Sequence, residues 1–116
     1  YFGGGLLLGK AGNTSAVIRS GNGIAIANGA SAKITDNSYG NQGVGIMMVF
    51  TNYAEVALIA CTGFGNALTF IYNDGNFSLS AGTASKLNIT GSGGTQFNCE
   101  NNRGASRNVY CIPFSQ

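Results

Sequence analysis

Few residues in this chain can do acid–base or nucleophilic chemistry. Its carboxylates are Asp36, Glu55, Asp74 and Glu100, its cations are Lys10, Arg19, Lys33, Lys86, Arg103 and Arg107, and it contains no histidine. The commonest general base and the commonest metal ligand are therefore missing. A glycosidase needs two carboxylates facing one bond. Asp36 with Glu55 or Glu100 is the pair that folding would have to assemble, and nothing in their spacing supports it; Asp74 is already assigned to the Asp74-Gly75 turn. Cys61, Cys99 and Cys111 have neither the spacing of a metal site nor a histidine to activate a thiol. An odd number of cysteines fits reduced, buried thiols, with Cys99 to Cys111 the one bridge worth testing. No catalysis, cofactor or metal is expected.

Two short motifs fail on inspection. Gly4 to Lys10 matches the first part of a phosphate-binding loop, but Ala11 stands where a hydroxyl should meet magnesium, and Gly12-Asn13 stops any following helix. Asn-x-Ser/Thr occurs at Asn13, Asn76 and Asn88, no more often than chance allows in so Asn- and Ser-rich a chain.

Polar loops on a rigid scaffold are the better candidates for binding. Asp36, Asn37 and Tyr39 lie in the longest such loop, Asn52 and Tyr53 in a short polar break, and Asn102 and Arg103 in the stretch Glu100 to Gly104. Amides and charged groups pair with hydroxyls, and a tyrosine offers a flat apolar face with a polar tip. These seven residues are the candidate saccharide-binding set. A further loop, Thr62 to Asn66 around Phe64, is similar in kind.

The scaffold is organised around residues 44 to 60, the longest apolar run, which Thr51 to Glu55 divides into two halves too short for ordinary helices. A central β-hairpin is expected. In its first arm Val44, Ile46, Met48 and Phe50 share one face and Met47 and Val49 the other, so both faces are apolar. Cover on both sides is expected, from a second sheet or from another subunit. Further strands are expected at residues 16–19, 23–27, 30–35, 67–72, 76–80, 85–89, 95–99 and 107–112, with none of the chain helical. Asn22-Gly23, Asn28-Gly29 and Asp74-Gly75 are turn dipeptides. Ile24 to Thr35 and Phe77 to Asn88 align without gaps, and both read as strand, glycine turn, strand hairpins. Ten short strands at this spacing predict an all-β, antiparallel β-sandwich, jelly-roll-like. Residues 1–15 form an irregular Gly-rich lead-in arm and residues 16–116 the head domain.

Only 9% of residues are charged while 44% are apolar, so the surface must be built from Asn, Ser, Thr, Gln and Gly. Disorder needs low hydrophobicity with high charge, and this chain has neither. A net charge of +2 from scattered cations offers no stripe for a nucleic acid, and no apolar run is long enough to insert into a membrane as a helix. Leu6 to Leu8 is far too short for a signal-peptide apolar region, and a start at Tyr1 is expected of a piece of something longer.

Phe97-Asn98-Cys99-Glu100-Asn101-Asn102-Arg103-Gly104-Ala105-Ser106-Arg107-Asn108-Val109-Tyr110-Cys111-Ile112 resembles the C-terminal segment of bacteriophage tail-fibre and tailspike head domains, and Gly75 to Ser80 has the same style. The resemblance implies a homotrimeric β-sandwich tip in the virion, made in the host cytoplasm. Such a tip binds host cell-surface polysaccharide and is attached to an upstream fibre or β-helix domain of the same chain. It carries over no site residue, and the chain departs from it in lacking His and Trp. Scarce charge suits close packing of three copies. The alternatives are a purely structural trimerisation or folding cap, a stand-alone lectin-like domain, and a depolymerase fragment.

Overall fold

The computed structural model describes residues 6–7, 17–18, 23–34, 45–62, 67–91 and 97–115, and among them there is no helix. The strands are β1 (Leu6–Leu7), β2 (Val17–Ile18), β3 (Ile24–Ile26), β4 (Ser31–Lys33), β5 (Gly45–Thr51), β6 (Val56–Thr62), β7 (Ala67–Asn73), β8 (Phe77–Ser78), β9 (Leu87–Gly91), β10 (Phe97–Asn101) and β11 (Arg107–Ser115). They form a four-stranded sheet in the order β4-β10-β9-β8 and a five-stranded sheet in the order β3-β11-β5-β6-β7. β1 and β2 make a separate two-residue ladder. Each predicted strand segment overlaps an observed strand, and β1 is a strand within the stretch expected to be an irregular arm, because Leu6–Leu7 pairs with Val17–Ile18. The chain is all-β in two antiparallel-rich sheets, as expected.

One core joins the sheets. Met47, Val49, Ala57, Ile59 and Cys61 of the five-stranded sheet are fully buried, as are Leu87, Ile89, Phe97 and Cys99 of the four-stranded sheet. These residues alternate along their strands, which places them on the two inner faces. The central hairpin forms as expected, β5 pairing antiparallel with β6 from Gly45↔Cys61 to Phe50↔Val56.

The aligned segments around Gly29 and Gly82 are not hairpins. β3 pairs with β11 in one sheet and β4 with β10 in the other, so the chain crosses between sheets at Asn28-Gly29. β10 and β11 make the same crossing alongside, and the antiparallel ribbon bends over the edge of the core. Asn101 fastens that corner: fully buried, it donates from Nδ2 to the carbonyls of Ile26 (2.9 Å) and Ala105 (2.9 Å). β8 and β9 run parallel, because the chain reverses at both Gly82 (φ 80°) and Ser85 (φ 61°) before β9 begins. One turn would have given a hairpin. Gly23 also differs from expectation, since no positive φ requires it there; a Cβ would lie 2.8 Å from the Tyr110 ring, so close approach demands the glycine.

The outer faces of the two sheets differ in kind. On the four-stranded sheet Ser31, Lys33, Asn88, Thr90, Asn98 and Glu100 stand across from one another, all polar. On the five-stranded sheet the outer positions include Ile46, Met48, Phe50, Val56, Leu58, Ala60, Tyr72, Tyr110 and Ile112, with the polar Thr69 on β7 and Asn108 near the start of β11. Ile46 and Tyr72 are exposed and Met48, Phe50, Leu58 and Ile112 half-buried, so among the described residues of one chain the second sheet covers the inner side of β5 alone. Phe50 and Tyr110 stack on this open face with centroids 5.0 Å apart.

All three cysteines are thiols, with Cys61 and Cys99 buried and Cys111 half-buried beside Met47. Burial pushes the Cys99 thiol up to about 12, and the carboxylates of Glu100 and Glu55 add to the shift. Alkylation requires the thiolate. Cys99 is therefore expected to resist iodoacetamide at pH 8 in the native protein and to react once urea unfolds it, with mass spectrometry of the labelled peptide as the readout.

Candidate functional site

The tip of the central hairpin is a three-residue loop, Asn52-Tyr53-Ala54. Ala54 N–H donates to the Thr51 carbonyl (3.1 Å) and Thr51 N–H to the Glu55 carbonyl (3.0 Å), while Ala54 takes φ 59°. This follows the common pattern of a turn closed by one left-handed residue, the position that favours glycine. Asn52 ties the tip to β11: its Oδ1 accepts from Asn108 N–H (2.9 Å) and its own N–H donates to the Asn108 carbonyl (3.2 Å).

Beneath the tip lies Glu55, 4% exposed. Its Oε1 accepts from Arg107 Nε (2.8 Å) and Thr51 Oγ1 (2.7 Å), and its Oε2 from Arg103 Nε (2.8 Å) and Arg107 Nη2 (3.3 Å). Further guanidinium hydrogens bond to main-chain carbonyls, Arg103 Nη1 to that of Ser85 (2.7 Å) and Arg107 Nη1 to those of Ala105 (3.1 Å) and Ser106 (3.3 Å). The Arg107 guanidinium sits 3.8 Å from the centroid of the Tyr53 ring, which is 56% exposed. The charges are thus one carboxylate against two guanidinium groups. Burial raises the Glu55 pKa, but hydrogen bonds from Arg107, Thr51 and Arg103 outweigh it and hold the carboxyl below its ordinary value.

A second polar cluster lies on the outer face of the four-stranded sheet. Glu100 Oε1 accepts from Gly82 N–H (2.7 Å), Asn88 Nδ2 (2.7 Å) and Asn102 Nδ2 (3.2 Å), and Asn88 and Asn102 both also donate to the Thr83 carbonyl. Hydrogen bonds from Asn88 and Gly82 lower the Glu100 pKa. Together these bonds hold the loop 79–86 over the sheet. Asn88 Oδ1 is buried with no hydrogen-bond partner. Asp74 is likewise structural, its two oxygens accepting from Asn76 N–H (3.0 Å) and Val56 N–H (2.8 Å).

Of the sequence-predicted binding residues, Asn52, Tyr53 and Arg103 come together at one end of the fold, around Glu55 and Arg107. Asn102 adjoins Arg103 in the chain but turns its side chain into the Glu100 cluster. Asp36, Asn37 and Tyr39 lie outside the described residues. Arg107 was not singled out, and it completes the arrangement from 52 residues away, a separation no local pattern reveals. Each described carboxylate accepts hydrogen bonds from the surrounding fold. The assembled cluster can present an aromatic ring backed by a cation, beside amides.

Removing the Glu55 carboxylate would leave Arg107 buried and uncompensated, which for a buried pair costs about 3–5 kcal/mol. Glu55→Ala is expected to lower the urea midpoint accordingly, though Arg103, partly exposed, recovers water. The sign with pH follows from the depressed native pKa. The Glu55 contribution is complete above its unfolded value near 4.5 and is lost as pH falls through the lower native value. Urea unfolding from pH 7 to pH 2 should show this loss, and Glu55→Gln should flatten it. Ala54→Gly should stabilise the hairpin by about 1 kcal/mol by relieving the left-handed backbone, measured as a raised Tm.

Compared with protein-family models, characterised proteins and solved structures, this chain matches none.

Proposed function

We propose that this domain is a non-catalytic, self-assembling head module, the tip of a phage tail fibre or tailspike, which forms a jelly-roll-like homotrimer and meets host cell-surface polysaccharide with its loops. The observation that carries the reading is the contrast between the outer faces. The face of the four-stranded sheet is polar, whereas that of the five-stranded sheet carries Ile46, Met48, Phe50, Leu58, Tyr72, Tyr110 and Ile112 with no charge among them. An antiparallel sheet that faces water alternates apolar with polar residues, and a subunit interface resembles a core cut in half. The open apolar face fits copies of the same chain better than it fits solvent.

The Tyr53 end supports the recognition half of the reading. Tyr53 is 56% exposed, its ring is held in place by Arg107, and Asn52 lies beside it. A rigid aromatic platform with amides nearby suits a sugar ring. Arg103 and Arg107 hold the platform in position, and their pairing with Glu55 gives them a structural task first.

Light scattering at low micromolar concentration is expected to give three times 11.9 kDa. Met48→Lys, which places a charge on the open face without touching the core, is expected to give a folded monomer. Tyr53→Ala should leave the mass unchanged and abolish adsorption to host cells or retention on their extracted polysaccharide. A wild-type monomer defeats the assembly reading, and full adsorption by Tyr53→Ala defeats the assigned recognition site.

A further inference from the structure

Sheet edges offer unpaired N–H and C=O groups to any extended chain, and folded proteins normally keep such edges short, charged or interrupted by proline. Among the described residues, three of the four edge strands of the two larger sheets follow that rule by length: β3 and β4 have three residues each and β8 has two. The fourth does not. β7 is seven residues long, Ala-Leu-Thr-Phe-Ile-Tyr-Asn, with no charge and no proline, and it lies at the end of the five-stranded sheet. Ile71 and Tyr72 on it are 56% and 51% exposed. β-branched and aromatic residues in such a run favour strand addition.

We propose that the edge of β7, unpaired among the described residues, is completed by a second copy of this chain, which adds an extended strand and carries the five-stranded sheet across the subunit boundary. The inference rests on the self-assembly reading and goes beyond it by naming a backbone contact. The edge is continuous with the apolar outer face, because Tyr72 stands directly opposite Leu58. Size supports the same occupant. Four strands about 4.8 Å apart and about 23 Å long give the face about 450 Å² in plan, whereas a stable interface removes about 800 Å² of accessible surface per partner. The face alone is a small interface, and the adjoining edge enlarges it. Burying the edge against an apolar surface would strand its backbone groups, so pairing with a strand is the arrangement that satisfies them. No charge on β7 opposes the approach of an identical copy.

Hydrogen exchange of individual β7 amides tests the contact. In an edge strand, alternate N–H groups point away from the neighbouring strand and are unprotected. In the assembled wild type at high concentration, the β7 amides that point away from β6 are expected to exchange at least about tenfold more slowly than in the Met48→Lys monomer. The amides bonded to β6 should stay protected in both, which confirms that the variant is folded. If the wild type assembles and the outward β7 amides exchange as fast as in the monomer, the edge contact is wrong and self-assembly through the face stands. If the wild type is monomeric at every concentration, the self-assembly reading fails and the edge contact fails with it.

Discussion

The architecture depends on one buried carboxylate. Glu55 ends the loop that reverses the chain between β5 and β6, and it holds Arg107 at the start of β11 and Arg103 in the corner after β10. The five-stranded sheet and the ribbon that crosses to the four-stranded sheet are therefore fixed to each other at one point. A charge at 4% exposure is tolerable only because both oxygens are fully engaged. Replacing such a cluster with apolar residues is often neutral or stabilising in other proteins, so its value here lies in direction. It ties Arg103 in the corner and Arg107 at the start of β11 to the base of the hairpin tip.

The same cluster determines what the surface can be. With four acids and six bases in the chain, one acid and two bases are drawn into this end of the fold, and Asp74 and Glu100 are occupied with turn and loop hydrogen bonds. Little charge is left to spread over the sheets. The four-stranded sheet uses amides and hydroxyls on its outer face, and loop 79–86 is held over part of it. The five-stranded sheet has no such polar layer. Among the described residues its outer face is mostly apolar, with Thr69 and Asn108 the polar exceptions, so the two outer faces differ in character.

Much of this was legible in the sequence. Period-two alternation and turn residues located ten strands, because both signals are local. The break at Thr51 to Glu55 was readable as a hairpin tip for the same reason. Strand partnership was not. Ile24 to Thr35 looked like a hairpin, and its glycine does adopt φ 82°, but a reversal of direction and a change of sheet use the same turn chemistry. The difference lies with β10 and β11, some 70 residues away. Likewise the two apolar faces of β5 were visible, while the extent of their cover was not, since alternation reports which residues share a face and says nothing about what lies opposite.

The candidate site shows the same division in sharper form. Tyr53 and Asn52 were found because a polar pair at a hairpin tip is a local signal. Asn102 and Arg103 were found as one stretch, yet their side chains serve different clusters, because backbone curvature at the corner turns adjacent residues apart. Arg107 escaped notice since an arginine at the start of a strand ordinarily reads as a solvated end. Here it is buried beneath Tyr53, its guanidinium 3.8 Å from the centroid of the ring. A tyrosine held in one orientation loses less conformational entropy when a ligand stacks on it. The buried ion cluster thus ties the packing of the fold to the placement of its exposed ring through the same groups.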